Sequence, residues 1–369
     1  MINRTDPMIK NNVYLCIVKL KRQKEMKKLL FISMLFAFSC GMLYAQEADN
    51  PDGEEVQVTI NGLLYELSKA THTAMVANQN TWDGELVIPE QVNYDNEAYT
   101  VNGIEWLAFD GCKTLTKVTF PKTLVTIKHY CYYEDCKNPF RHCSNLESIE
   151  VEEGNPSMCS VGGVLFSKDM TQLFCYPVGA RRETYIIPEG VTWIGGDAFA
   201  GNPYLVDVVM PNSVTHLSFS VFSGCKRLTS IKLSESISHI EAYSFEKCES
   251  LHFLDIPESV TSFGESVFRW SPKMVLIVRG TFPEELRKDT FYHMDDATII
   301  YAQPSETEKF KKVFNGTVLP LEEYTNDIKQ IMSIQSSGPI YTLQGQRVES
   351  VPRKGVYIQN GKKVVIKIN

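Results

Sequence analysis

The sequence predicts a mainly β solenoid with short helical turns, in which each repeat contributes one strand to a parallel ladder. Three observations carry this: a fixed period through the middle of the chain, an apolar strand core at one place in each period, and turn residues between periods. Phe199, Phe222, Phe245, Phe268 and Phe291 recur every 23 residues, and Pro188, Pro211 and Pro257 keep the same frame with Ser234 in the remaining slot. The 369 residues are 43% hydrophobic and 22% charged, enough to bury a sizeable core in one large or two smaller domains.

Residues 1–45 read as a leader. Met26-Lys27-Lys28 precedes an apolar run from Leu29 to Leu43 and then Tyr44-Ala45-Gln46, the charged, apolar and small-residue order of a signal peptide. The run is shorter than the roughly 20 residues a spanning helix needs, so cleavage between Ala45 and Gln46 is expected rather than a membrane anchor. Met26 is the expected translation start. Cys40 is a poorer candidate for lipid attachment, because Ala37-Phe38-Ser39 is a weak context for it. Without residues 1–45 the formal charge is −13; such a surface repels phosphate backbones and anionic headgroups, which argues against nucleic acid and direct membrane binding.

Residues 46–101 form the N-terminal β cap, with apolar and polar residues alternating around Asn61-Gly62, a two-residue hairpin signal. Residues 102–320 carry the repeats, in units such as 187–209, 210–232, 233–255 and 256–278, with a hairpin insertion at about 152–187 and an eight-residue insertion between Phe109 and Phe140. Leu251-x-x-Leu254-x-Ile256 supplies the strand core of a leucine-rich-repeat solenoid, and a 23-residue unit lies within that class. Leu205, Val208 and Met210 point inward in this reading, and Leu228, Ile231 and Leu233 stack on them. Proline suits the strand exit because it has no N–H to donate. Thr123, Ser213, Ser236 and Ser259 are placed to bond the turn backbone.

The recurring I-P-x-x-V-T-x-I-G-x-x-A-F-x-x-C-x-x-L pattern resembles the BspA-type leucine-rich repeat of Bacteroidetes surface proteins, over roughly residues 86–320. Residues 152–191 resemble a β-hairpin unit of that family, and 297–314 its closing segment. The resemblance implies extracellular binding or adhesion and transfers no catalytic residue.

After a linker at 321–339, residues 340–369 read as a small C-terminal β unit with turns at Gln344-Gly345 and Asn360-Gly361. This tail carries +5 against −18 for residues 46–339. It resembles a type IX secretion sorting domain; the alternative is a folded cap that stays attached.

Cys112, Cys143, Cys225 and Cys248 share one repeat position, where Asn202 stands in once, and read as buried ladder residues packing as small hydrophobes. His129, Cys131, Cys136, His142 and Cys143 crowd together, but their spacing matches no zinc module. Disulfides are the better expectation in an exported chain, Cys131 with Cys136 and Cys159 with Cys175. No nucleophile elbow, H-E-x-x-H or phosphate loop occurs, so the chain is expected to be non-enzymatic, without cofactor or bound metal. The candidate ligand face is the outward side of the strands: Lys117 and Thr119, Ser148 and Glu150, Asp207 and Val209, Ser230 and Lys232, Phe253 and Asp255, Leu276 and Val278. Phe253 with Leu276 is the expected contact patch. The reading is an exported or cell-surface monomer that binds an extracellular protein, with glycan capture or a ligand-free structural spacer as the alternatives.

Overall fold

The chain is described by a computed structural model covering residues 55–78, 81–128 and 138–324, with the backbone of three further strands between 340 and 366. The leader, the cleavage site at Ala45 and Gln46, and Cys131 and Cys136 lie outside the described residues.

Strands β1 (Glu55–Ile60) and β2 (Leu63–Ser68) pair antiparallel about Asn61-Gly62, with Ile60 opposite Leu63. Both turn residues have positive φ, 51° and 85°, the backbone hand that matches the twist of the flanking strands. β3 (Thr73–Val76) follows, then β4 (Gly84–Val87), β5 (Gln91–Tyr94) and β6 (Glu97–Glu105). The cap sheet runs β1-β2-β3-β6-β5. Its alternating side chains bury Tyr65, Leu67, Val76, Tyr99 and Val101 against the first rungs.

The solenoid begins at β4, which pairs parallel with β7 (Leu115–Phe120), and β7 with β9 (Ser148–Val151); β8 (Thr126–Lys128) lies parallel to β6. A hairpin insertion then supplies β10 (Met158–Val161), β11 (Val164–Ser167) and β12 (Gln172–Cys175). Beyond it the rungs repeat as β13 (Thr184–Ile186), β14 (Trp193–Ile194), β15 (Asp207–Val209), β16 (His216–Leu217), β17 (Ser230–Lys232), β18 (His239–Ile240), β19 (Phe253–Ile256), β20 (Ser262–Phe263), β21 (Val275–Val278) and β22 (Ile299–Ala302). Helix α1 (Thr307–Lys311) and β23 (Thr317–Pro320) close the stack. Further on, β24 (Ile340–Tyr341), β25 (Gly355–Gln359) and β26 (Lys362–Ile366) form an antiparallel sheet, with Gln359 opposite Lys362; the expected turns at Gln344-Gly345 and Asn360-Gly361 lie outside the described residues.

The rungs from β13 to β20 each carry two strands rather than the one expected. The longer strands make the ladders β4-β7-β9, β13-β15-β17 and β19-β21-β22-β23, while the short ones continue the hairpin as β12-β14-β16-β18-β20. The V-T-x-I segment of each unit is extended for only two residues, too short for period-2 patterning to announce it. Ser213 and Ser259 also differ from expectation, because their hydroxyls donate to Val191 and Ile237 carbonyls of the previous rung at 2.8 and 2.6 Å. Ser234, in the proline slot, donates to Val214 O at 2.6 Å and accepts the Ser236 N–H. Hydroxyls therefore tie rung to rung, not turn to turn.

The third side of the coil holds the phenylalanines. Phe199, Phe222, Phe245, Phe268 and Phe291 stack in sequence with ring centroids 5.1 to 6.1 Å apart, and Tyr176 extends the column at 5.0 Å from Phe199. Such pairs contribute about 0.5–1.5 kcal/mol each beyond area burial. Residues two before and two after Phe222, Phe245 and Phe268 have positive φ: Ser220 and Gly224 flank Phe222, Tyr243 and Lys247 flank Phe245, Ser266 and Trp270 flank Phe268. That alternation aims successive N–H groups at the next rung, so Ser220, Phe222 and Gly224 donate to Ala242, Ser244 and Glu246 carbonyls at 2.8 to 2.9 Å. For a residue other than glycine the left-handed conformation costs roughly 1–2 kcal/mol.

The cysteines of the column do more than fill space. Cys143, Cys225 and Cys248 donate S–H to the carbonyls of Phe109, Phe199 and Phe222, and Ser271 donates its hydroxyl to Phe245 O at 2.6 Å in the same slot. Burial pushes the thiols of Cys143 and Cys225 up to about 12, so they stay protonated donors.

The hairpin divides the interior. Val164, Phe166, Leu173 and Tyr176 belong to the C-terminal core, whereas Leu165, Phe174 and Cys175 belong to the N-terminal one. At this junction Asp197 is almost fully buried; Asn138 Nδ2 donates to its backbone carbonyl, while its carboxylate Oδ2 has no hydrogen-bond partner and lies 3.9 Å from Arg141 Nη1. Arg141 sits nearer to Asp110, at 3.5 Å, and His142 bonds Asp110 at 2.9 Å. Burial raises the Asp197 carboxyl to about 6, with Arg141 and His142 opposing and Asp110 and Glu246 reinforcing.

Two expectations follow. Phe245→Ala should cost about 3–5 kcal/mol by the cavity it opens, read as a lower urea midpoint. Because the folded state holds the Asp197 proton more tightly than the unfolded chain does, stability should fall by about 2–3 kcal/mol as pH rises from about 4 to 6. Asp197→Asn, which tolerates the left-handed φ of 57°, should flatten that dependence and raise the urea midpoint at pH 7.5.

Candidate binding surface

Strand alternation turns every second side chain of the longer ladders outward, in two columns set by register. Glu85, Lys117 and Ser148 align, as do Val87, Thr119 and Glu150. Beyond the hairpin, Thr184, Asp207 and Ser230 align, as do Ile186, Val209 and Lys232. β19 adds Phe253 and Asp255, which are exposed.

The twelve side chains expected on this face divide. Asp207, Val209, Ser230, Lys232, Phe253 and Asp255 are open to solvent in whole or part, and Lys117 and Thr119 are half-buried. Ser148 donates to Glu150 Oε1 at 2.5 Å, beside the Gly162-Gly163 tip of the insertion, where a Cβ on Gly163 would come within 2.7 Å of the Ser148 hydroxyl. Leu276 and Val278 are corrected: both are fully buried. Leu276 lies opposite Leu254 and Val278 opposite Ile256, because one residue is missing between Met274 and Leu276 relative to Leu251-x-x-Leu254. A one-residue slip moves every side chain to the other face, so Val275, not Leu276, is the neighbour of Phe253. Beyond it the face closes, since Ile277 and Tyr301 are buried and Tyr324 of the helical turn at 321–324 packs on Tyr301 at 5.2 Å.

The strongest exposed apolar residue of the face is Ile186, 68% exposed and the register partner of Val209. It lies at the edge of the expected insertion, yet the 23-residue frame carried back from Val209 reaches it. Val161 at the hairpin tip is exposed, and Arg182 Nη2 donates to Gly162 O at 2.6 Å, holding that tip beside β13. Ion pairs rim the apolar residues: Arg227 with Glu183 at 3.0 Å, and Arg279 with both Glu235 at 2.7 Å and Asp255 at 2.9 Å. Exposed pairs of this kind orient side chains more than they stabilise.

The Cys159–Cys175 bridge is also corrected. Both thiols are free, Cys159 Sγ donating to Ser167 O at 3.3 Å and Cys175 Sγ to Asn138 Oδ1 at 3.1 Å. β11 lies between their strands, and two strand spacings, about 10 Å, exceed the roughly 7 Å Cα separation a disulfide spans. Among the described residues no group of three His, Cys, Asp or Glu side chains is arranged to hold a metal ion. No described helix is long and apolar enough to cross a membrane.

No curated protein sequence matches the chain. Among solved structures it is similar to the pneumococcal vaccine antigen PcpA at 19% identity, covering 72% of this chain and 98% of that one with a TM-score of 0.42. A leucine-rich cell surface protein from Faecalibacterium prausnitzii shares 17% identity over 72% and 99% of the two chains, TM-score 0.41. A leucine-rich repeat protein from Bacteroides ovatus shares 26% over 71% and 66%, TM-score 0.43. The BspA-type leucine-rich repeat region matches in six copies over residues 92–152 and 174–298, just over half of the sequence and the same stretches that form the rungs, so the chain belongs to the BspA-type leucine-rich-repeat family.

Proposed function

We propose that the chain is an exported surface protein that binds an extended segment of an extracellular protein on the open strand face between the hairpin tip and β19. The observation that carries this is the apolar set Ile186, Val209 and Phe253, held outward on parallel strands within a rim of ion pairs. Large apolar side chains ringed by charge are what a docking surface needs: the apolar centre supplies the binding energy and the rim supplies selectivity. Rigid strands also present these side chains at little ordering cost on binding. The reading is capture without catalysis. Export rests on the leader sequence, and the basic C-terminal unit is read as its sorting signal.

The test is binding of the mature chain to arrayed matrix and bacterial surface proteins, with glycans alongside. A saturable protein ligand is expected, its Kd raised at least tenfold by Ile186→Asp together with Phe253→Asp at unchanged stability. Equal binding by that double variant would refute this face, and the absence of any saturable ligand would favour a spacer. Deleting residues 340–369 should leave the protein in the cell that makes it; unaltered arrival at the surface would remove the sorting role.

A further inference from the structure

On the side of the coil that carries the phenylalanine column, the position two residues after each Phe forms its own column. Gly111, Gly201 and Gly224 occupy it with φ of 73° to 78°, the left-handed backbone that glycine adopts without steric cost, and His142 occupies it with φ of 62°. In three consecutive C-terminal rungs the occupants are instead Lys247, Trp270 and His293, with φ of 54° to 57°. Lys247 and Trp270 keep the rung-to-rung hydrogen bond that glycine makes, Lys247 N–H to Arg269 O and Trp270 N–H to His293 O. The backbone therefore gains nothing from these side chains. Residues other than glycine also stand at positive φ two before the Phe, as at Ser220, Tyr243 and Ser266, so what distinguishes these three rungs is the side chains they display.

What they display is an aromatic and cationic stack. The Arg269 guanidinium lies 3.6 Å from the Trp270 ring centroid and the Lys247 ammonium 4.6 Å from it, with the His293 ring stacked at 5.9 Å. Glu246 lies 3.8 Å from both Arg269 Nη1 and Lys247 Nζ and is itself bonded by Ser223. Arg269 is buried, whereas Lys247 and His293 are exposed, Trp270 is 41% exposed and Tyr292 beside it 49%. Three rungs at about 4.8 Å each make a run of roughly 10 Å, the length of a disaccharide. Arg269 covers a face of the indole, so a neutral sugar cannot stack there. Cations beside exposed ring edges instead suit a sugar that bears an anion, its charge meeting Lys247 and its C–H groups meeting the open edges of Trp270 and Tyr292.

We propose that Lys247, Trp270, Tyr292 and His293 form a binding site for an anionic polysaccharide, separate from the strand face. The probes are chondroitin sulfate, hyaluronan, neutral dextran and poly-glutamate, each titrated against the full chain at low and moderate salt. Salt-sensitive binding of chondroitin sulfate is expected, and comparable binding of hyaluronan would assign the recognised group as a carboxylate rather than a sulfate. Trp270→Gly and Lys247→Gly should each weaken it at least tenfold while leaving Tm unchanged or raising it by about 2 °C, since they restore the residue found at Gly111, Gly201 and Gly224. If Trp270→Gly loses stability as well, Lys247→Gly decides: weakened binding at unchanged Tm supports the site, and unaltered binding overturns it. Failure to bind either acidic polysaccharide, or equal affinity for poly-glutamate, also overturns it. Ile186→Asp with Phe253→Asp should leave this binding intact, so the two surfaces stand or fall separately.

Discussion

A coil of 23 residues cannot close a core of its own: its inward side chains meet around an axis that is open at both ends, and only the next coil covers them. Leu228, Ile231 and Leu233 are buried because Leu205, Val208 and Met210 lie on one side and Leu251, Leu254 and Ile256 on the other. Stability then resides in the interfaces between rungs. The two-strand ladders, the hydroxyls of Ser213 and Ser259, the thiols of Cys225 and Cys248 and the turn N–H groups all bond along the stack axis. The ends need separate solutions. A hairpin sheet covers one, and α1 with Phe310 and Phe314 packed on Phe291 covers the other.

The hairpin insertion interrupts this stack without opening it. Its strands alternate side chains between two cores, so one hairpin serves as the end wall of both halves. Tyr176 enters the phenylalanine column 23 residues before Phe199, which restarts the period on the far side. Polar groups collect where the two packings meet. Asn138 links Asp197 O to Cys175 Sγ, and Arg141 is shared between Asp110 and Asp197. A junction assembled from side-chain bonds is less redundant than a ladder, and it holds Asp197, a buried carboxylate whose Oδ2 has no hydrogen-bond partner.

Side chains with a strict period were legible in the sequence, and backbone features without one were not. The phenylalanine column, the cysteine slots and the Asn61-Gly62 hairpin each have a residue type that answers to one physical need. The short-strand ladder has no such marker, because two extended residues impose no pattern. The expected placement of Leu276 and Val278 failed through a single deleted residue, since a period-2 element converts one residue of slip into inversion of the whole strand. Ile186 was hidden by the opposite fault: the frame continued into a segment set aside as an insertion. Trp270 had no sequence signal as an exposed ring, because the glycine column it replaces becomes visible only through its positive φ.

The architecture also explains why surfaces can diverge on so regular a scaffold. Backbone bonds along the axis are indifferent to outward side chains, so the strand face and the post-phenylalanine column are the positions where substitution costs the stack least. On the strand face that freedom is complete, because an extended backbone accepts any residue. On the turn column it is conditional, since a residue other than glycine pays for a left-handed backbone. Outward variation on the strands is thus the expected background, and Ile186 and Phe253 stand out only by being large and apolar. On the turn column Lys247, Trp270 and His293 stand out by the contacts their side chains make with one another across successive rungs.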